Sequence, residues 1–204
     1  EMERLRTRDW EKTIAISPYY FRDNRLFENY ILLKYINKLE ETIHPEKINR
    51  TKIGSELQKQ IKVINDRNWR NSFITLSNLG FINENNLPTK SGVEFAKKNY
   101  SSFVAEVYFS YMKEYIDEIF YALDQLSFIG TNKDITSKII YNYEGLDVLF
   151  LTESEGRYIS SFMNILRDDF GAIEFEKRKP KRFWNYTFNN IAKKELIEQI
   201  ESFT

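Results

Sequence analysis

The chain has 204 residues, of which 42% are hydrophobic and 16% aromatic, so it can bury a sizeable core and is not disordered. Basic and acidic residues each number 30, and this zero net charge excludes a protein that coats nucleic acid by charge alone. The absence of Cys excludes disulfides and thiolate zinc sites and favours a cytoplasmic location. Only seven Gly and four Pro are present, which favours a mainly helical chain.

Several functional classes lack their sequence signals. No apolar run reaches the roughly 18 residues that a membrane span requires, and the charged N-terminus is not a signal peptide. Phosphate-loop, dinucleotide-binding and Gly-x-Ser-x-Gly motifs are absent, and the single His44 precedes a Pro at a predicted helix end. We therefore expect no catalytic site, metal ion or cofactor in this chain. Because it begins with Glu, we expect a tag remnant or a piece of a longer protein.

The first half of the chain predicts a polar arm followed by four helices. Residues 1–24 contain Pro18, which interrupts helices, and indicate an extended arm. Apolar residues then recur at helical spacing. The predicted helices cover 25–42, 48–61, 65–80 and 90–99. Either Asn49 or Thr51 is expected to cap the second helix, and Thr89 the fourth.

A short hairpin is predicted between the third and fourth helices. Gly80 is expected to end the third helix in the left-handed conformation. "FINENNLPT", residues 81–89, then reads as strand, turn and strand. Three helices followed by a hairpin and a fourth helix form the order of a winged helix-turn-helix. Residues 25–99 are therefore the first predicted domain. Its third helix is expected to enter a DNA groove.

The second half predicts the same unit again. Residues 100–130 carry a long amphipathic helical pattern and are interpreted as a linker. "NILRDDFGAI" (164–173) then parallels "ITLSNLGFI" (74–82), and the basic stretch "KRKPKRFW" follows as a second hairpin. The predicted second domain is 131–204. The expected fold is therefore mainly α with short β-hairpin wings, in two winged helix-turn-helix domains joined by a long helical segment.

Polar and basic residues on the third helix and near it form the first candidate DNA surface. Arg forks onto guanine, Asn onto adenine, and Thr contacts a thymine methyl group or a phosphate. Between Pro45 and Arg70, seven basic residues stand against three acids, a local charge of +4 in a neutral protein. The candidate contacts here are Arg50, Lys52, Arg67, Asn68, Arg70, Asn71, Thr75 and Lys90.

The second half offers two further candidate surfaces. One is a second recognition helix predicted at 154–169, although acids at its ends leave DNA and protein contact equally open. Its candidate contacts are Arg157, Tyr158, Ser161 and Asn164. The other is the basic hairpin, which suits phosphate or minor-groove contact. Its candidate contacts are Lys177, Arg178, Lys179, Lys181 and Arg182.

The stretch from 73 to 99 resembles the winged-helix pattern in which a Leu-Gly-Phe-Ile step leads to a hairpin and then to Leu-x-Thr-x-x-Gly. Here these are "LGFI" at 79–82 and "LPTKSG" at 87–92. With Trp69 before them and an aromatic helix after, the order is similar to the DNA-recognition modules of type IIS restriction endonucleases of the FokI and AlwI kinds. The resemblance implies recognition of a short asymmetric duplex site, with the nuclease in a separate domain or subunit.

Two rival interpretations stay open on the sequence alone. One is a phage or plasmid transcription regulator or replication initiator, which would bind a palindrome as a dimer. The other is a kleisin-type tandem winged-helix subunit, which binds protein rather than DNA. An exposed apolar stripe along 103–126 would favour the second rival.

Overall fold

The computed structural model describes residues 24–60, 69–127, 129–142, 157–171, 173–178 and 181–186. Most of them are helical, which confirms the prediction of a mainly helical chain. No helix within these ranges is long and apolar enough to cross a membrane. The described residues divide into an N-terminal unit that ends at Ala105 and a C-terminal unit that begins at Glu106. The predicted arm at 1–24 lies outside the described residues except for Asn24, and so do residues 187–204 of the predicted second domain.

The N-terminal unit is built from helices, of which the first, second and fourth begin within two residues of their predicted starts. They are α1 (Leu26–Ile43), α2 (Arg50–Gln60), α3 (Trp69–Asn78), α4 (Lys90–Ala96) and α5 (Tyr100–Val107). The side-chain oxygen of Asn49 accepts the Lys52 backbone N–H at 3.0 Å, so Asn49, not Thr51, caps α2. The Thr89 hydroxyl accepts the Gly92 N–H at 3.1 Å, which confirms the predicted cap of α4.

The core of the N-terminal unit lies between α1 and the helices that pack on it. Helix α1 packs against α3 and α4, and α2 packs against α3. Aliphatic side chains of α1 are fully buried, as are Phe73 of α3 and Leu57 of α2. Each such side chain stabilises the fold by roughly 1.5–3 kcal/mol relative to exposure. Tyr30 also packs its ring 5.6 Å from Tyr100 and 5.2 Å from Phe103, and its hydroxyl donates to the Lys98 carbonyl at 2.9 Å. These contacts attach α5 to the first helix.

Helix α3 ends in a glycine-terminated Schellman motif. Gly80 has φ +74°, as predicted, its N–H bonds the Ser77 carbonyl, and the Phe81 N–H bonds the Leu76 carbonyl at 2.9 Å. The chain then makes one antiparallel bridge, Ile82 with Pro88. The predicted first hairpin is therefore a single bridge around a four-residue turn.

The C-terminal unit combines helices with a small antiparallel sheet. After a π-helical turn (Tyr108–Met112), α6 spans Lys113–Gln125, β1 spans Ile129–Gly130, and α7 spans Asn132–Asn142. Helix α8 (Arg157–Asp168) is followed by β2 (Ile173–Arg178) and β3 (Lys181–Tyr186). Strand β3 lies in the centre of the sheet, antiparallel to both β1 and β2.

Local signals explain where β1 and α7 meet. The Thr131 hydroxyl accepts the Asp134 N–H at 3.1 Å, and the Asp134 carboxylate accepts the Thr131 N–H at 2.9 Å. This reciprocal capping box fixes the first turn of α7 directly after β1. Apolar side chains of α6, α7 and α8, among them Ile119, Ile135 and Phe162, form the buried core of this unit.

Candidate nucleic-acid interface

Helix α3 has a buried face and an accessible face. Trp69, Phe73 and Leu76 are at most 5% exposed and pack inward. Arg70 is exposed and Asn71 is half-buried, so these two predicted contact residues lie on the accessible side. An arginine and an asparagine on one accessible helix surface are groups that recognise guanine and adenine edges in a major groove.

One predicted contact on α3 is wrong. Thr75 is fully buried, and its hydroxyl lies 3.1 Å from the side-chain nitrogen of Asn24, which also donates to Asn29 at 2.7 Å. This hydroxyl is part of a buried polar cluster that joins α3 to the start of α1, so it cannot contact a base or phosphate. The predicted contacts Arg67 and Asn68 lie outside the described residues.

The close packing of α2 on α3 depends on Gly54. A Cβ atom at Gly54 would lie 3.3 Å from the Trp69 Cβ, which is tighter than most real Cβ contacts allow. Helices α2 and α3 therefore approach each other through a glycine and an indole ring. Lys52, a predicted contact, is exposed near the start of α2.

The charge around α2 and the start of α3 is positive in the described part of the chain. Over 45–60 and 69–70, five basic residues (Lys47, Arg50, Lys52, Lys59, Arg70) stand against two acids (Glu46, Glu56). Glu56 accepts a hydrogen bond from the Tyr35 hydroxyl at 3.0 Å. Burial, followed by this hydrogen bond to a carboxylate, raises the pKa of Tyr35. The positive surface suits a polyanion.

Arg50 is held in place by two other elements. Its Nε donates to the Asn86 side-chain oxygen at 2.8 Å, and its guanidinium carbon lies 5.4 Å from the centroid of the Phe73 ring. Its side chain is half-buried. The predicted contact residue therefore links the start of α2 to both the 83–86 turn and α3.

The 83–86 turn packs against the segment before α2. Asn86 is 5% exposed with φ +60°, and its side-chain nitrogen donates to the Ile48 carbonyl at 2.9 Å. The Ile48 N–H donates to the Asn85 carbonyl at 3.0 Å. The turn has no basic residue, and its exposed position is the acidic Glu84. This turn therefore supports the helices and does not offer a cationic surface.

Lys90 is an exposed predicted contact whose position follows from the Thr-x-x-Gly step. The Thr89 hydroxyl donates to the Gly80 carbonyl at 2.6 Å, and the Thr89 N–H bonds the Phe81 carbonyl. A Cβ at Gly92 would lie 1.9 Å from the Phe81 oxygen. Only glycine permits this approach, so the step fixes α4 against the end of α3.

The predicted contact residues on helix α8 differ in their exposure. Ser161 is 2% exposed, so the prediction that it contacts DNA is wrong, because the residue is buried. Asn164 is half-buried and accessible. Arg157 and Tyr158 lie in the first turn of α8, and their side chains are outside the described residues.

The last turn of α8 carries a neutralised cation. Arg167 binds the adjacent Asp168 carboxylate through Nε at 2.6 Å and Nη2 at 3.0 Å. The hydrogen bond to Asp168 raises the pKa of Arg167, and burial acts in the opposite direction. Because the pair has no net charge, it adds little attraction for a phosphate.

The β2–β3 hairpin concentrates positive charge at the end remote from β1. Strand β1 pairs only with Asn185 and Trp184, which fixes the base of the hairpin in a three-stranded sheet. At the other end, Lys177 is the cross-strand partner of Arg182, and Arg178 of Lys181. Cation opposite cation destabilises a hairpin, so an anionic partner would relieve these two pairs. Lys179, between the strands, lies outside the described residues.

Sequence reasoning missed Asn86, which we identify only from its contacts. An Asn in "NENN" indicates a turn, and Asn tolerates positive φ better than most residues. The sequence contains no signal that this particular Asn receives Arg50, since the two residues are 36 positions apart.

No group of three or more His, Cys, Asp or Glu side chains within the described ranges is arranged to hold a metal ion. No family model, curated protein or solved structure matches this chain.

Proposed function

We propose that this chain binds duplex DNA sequence-specifically through two winged helix-turn-helix units. The topology of the C-terminal unit is the observation that carries the proposal. Among the described residues its order is α6, β1, α7, α8, β2 and β3, and the sheet order is β1-β3-β2. A helix pair followed by a hairpin, with a short strand at the base of that hairpin, is the layout expected of a winged helix.

The N-terminal unit supports the proposal through its helix order. Helices α1, α2 and α3 precede the bridged turn, and α4 follows it. In this interpretation α3 is the recognition helix, with Arg70 and Asn71 contacting bases together with Arg67 and Asn68. Lys52 and Lys90 contact phosphates.

In the C-terminal unit the basic hairpin is the second contact element. Its four paired cations and Lys179 contact phosphates or a minor groove. Asn164, Arg157 and Tyr158 of α8 are the remaining contacts in this proposal. The chain then acts as the target-recognition part of a bacterial restriction endonuclease system, and a nuclease domain or subunit supplies the cleavage.

A protein-clamping role receives less support from the geometry. Of the apolar residues of 103–126, the core positions Phe103, Val107, Ile119 and Leu123 are at most 1% exposed, while Phe109 and Tyr121 are exposed singly and form no continuous stripe with them. A DNA-binding regulator shares the proposed surfaces and differs only in the site that it selects.

A selection from a randomised duplex library, read out by sequencing, tests the proposal. An enriched asymmetric sequence is the expected result for a recognition module. An enriched palindrome would replace the restriction role with that of a dimeric regulator. If no sequence is enriched, the proposal of sequence-specific binding is wrong.

A further inference from the structure

The Arg50 guanidinium is fixed on more than one side. Arg50 is the first residue of α2. Its Nε–H donates to the Asn86 side-chain oxygen, and its guanidinium lies over the buried ring of Phe73. The Asn86 side chain is itself fixed, because its nitrogen donates to the Ile48 carbonyl. A guanidinium held in this way loses little conformational entropy when it binds a further group.

The Arg50 charge lacks a counter-charge within the described part of the chain. None of the ion pairs or carboxylate hydrogen bonds there involves Arg50. Glu56, the acid nearest along α2, accepts the Tyr35 hydroxyl instead. The two terminal nitrogens therefore keep four N–H donors, which match an oxyanion in the bidentate geometry that arginine forms with phosphate.

We infer that Arg50 is a preorganised phosphate-binding residue whose position couples a DNA phosphate to the orientation of recognition helix α3. The inference rests on the proposed duplex binding and assigns one residue within it a role that charge alone would not give. A phosphodiester held by Arg50 is connected through Phe73 directly to the core face of α3. The contact thereby fixes the depth and register at which α3 meets the bases.

Lys59 provides a matched comparison. It is an exposed cation nine positions away on the same helix, and it is not one of the proposed contacts. If charge alone matters, exchanging Lys and Arg at either position should have the same small effect. If Arg50 acts through its fixed geometry, Arg50→Lys should weaken binding and Lys59→Arg should not.

The experiment uses the duplex enriched in the selection and measures its Kd by fluorescence anisotropy over a salt series. Arg50→Lys should raise Kd roughly tenfold without changing the salt slope, because the charge is kept while the fork geometry is lost. Arg50→Gln should also lower the magnitude of the slope by about 0.9, the value for one phosphate contact. Lys59→Arg should match the parent.

A second arm separates a direct phosphate contact from a purely structural role. Duplexes with a single uncharged methylphosphonate at successive linkages are tested with the parent and with Arg50→Gln. One linkage should weaken the parent but cause no further loss in the variant. Asn86→Gly, which keeps a residue tolerant of positive φ but removes the amide, should weaken binding with an unchanged salt slope.

The outcomes distinguish this inference from the proposed function. If every linkage weakens Arg50→Gln as much as the parent, Arg50 is structural and the inference is wrong while duplex binding stands. The inference is equally overturned if Arg50→Lys binds like the parent. A parent chain that binds no duplex refutes the proposed function itself.

Discussion

The two turns that follow α3 and α8 begin alike and end differently. Each helix is followed by a glycine with positive φ: Gly80 at +74°, two residues after the end of α3, and Gly171 at +61°, three residues after the end of α8. An Ile stands two residues after each glycine. After Gly80 the chain forms one bridge and then a new helix. After Gly171 it forms two strands of six residues each.

The residues after each turn explain the difference. Pro88 lacks an N–H for a longer ladder, and Thr89 caps α4 at once. The turn after α8 is followed first by "IEFEKR" and then by "KRFWNY", whose β-branched and aromatic residues favour strands. The comparison teaches that one local signal can produce a supporting turn in one unit and an extended basic hairpin in the other. We expect stability to depend on the first and DNA affinity on the second.

The largest expected effect concerns α3, the proposed recognition helix, which the first turn supports. Replacing Arg67 and Asn71 together by Ala should remove sequence preference, with each base contact contributing about 1–3 kcal/mol of discrimination. The measurement is the ratio of Kd values for the selected duplex and a scrambled duplex. A ratio equal to that of the parent would show that α3 does not contact the bases.

Gly92→Ala should destabilise the N-terminal unit by about 3 kcal/mol, because its Cβ would lie 1.9 Å from the Phe81 oxygen. Urea denaturation measures the loss. Gly80→Asn is the matched control, since nothing lies within 4 Å of a Cβ there and Asn tolerates the positive φ. Equal stability of Gly92→Ala and the parent would contradict the close approach of α4 to α3.

Lys179→Ala combined with Lys181→Ala should weaken binding to all duplexes and flatten the salt slope by about one to two units. Folding should be unaffected, because like-charged positions do not stabilise the hairpin. The control removes two exposed cations elsewhere, Lys97→Ala with Lys133→Ala, at the same change in net charge. If both double variants bind alike, the hairpin has no special role.

The smallest expected effect is one in which stability and DNA affinity change in opposite directions. Lys181→Glu would place an acid opposite Arg178, and such a pair stabilises a hairpin by roughly 0.2–1 kcal/mol. The same change should weaken DNA binding. We expect a higher thermal midpoint together with a higher Kd. A lower midpoint would mean that the strand register in this hairpin differs from the one described.

Local features of the fold were predictable from sequence. The helix starts at α1, α2 and α4, the cap at Thr89 and the left-handed Gly80 each depend on residues within a few positions of one another. Such interactions repeat from protein to protein, so residue type and spacing suffice to find them.

The site was less predictable because exposure depends on distant contacts. Thr75 and Ser161 are polar residues on helices and looked accessible, yet each is buried. Asn24 is 51 positions from its partner Thr75, and Arg50 is 36 positions from Asn86. The period of a helix identifies its apolar stripe, but it does not reveal which polar residues have buried partners.

Equilibrium binding of the purified chain to a mixed-sequence duplex at several salt concentrations tests the central claim most directly. If the five hairpin cations contact phosphates, the logarithm of the binding constant should fall with a slope of about −4 or steeper. Binding to the selected duplex should be tighter at every salt concentration. Salt-independent binding, or none, would contradict the proposal that this chain recognises duplex DNA.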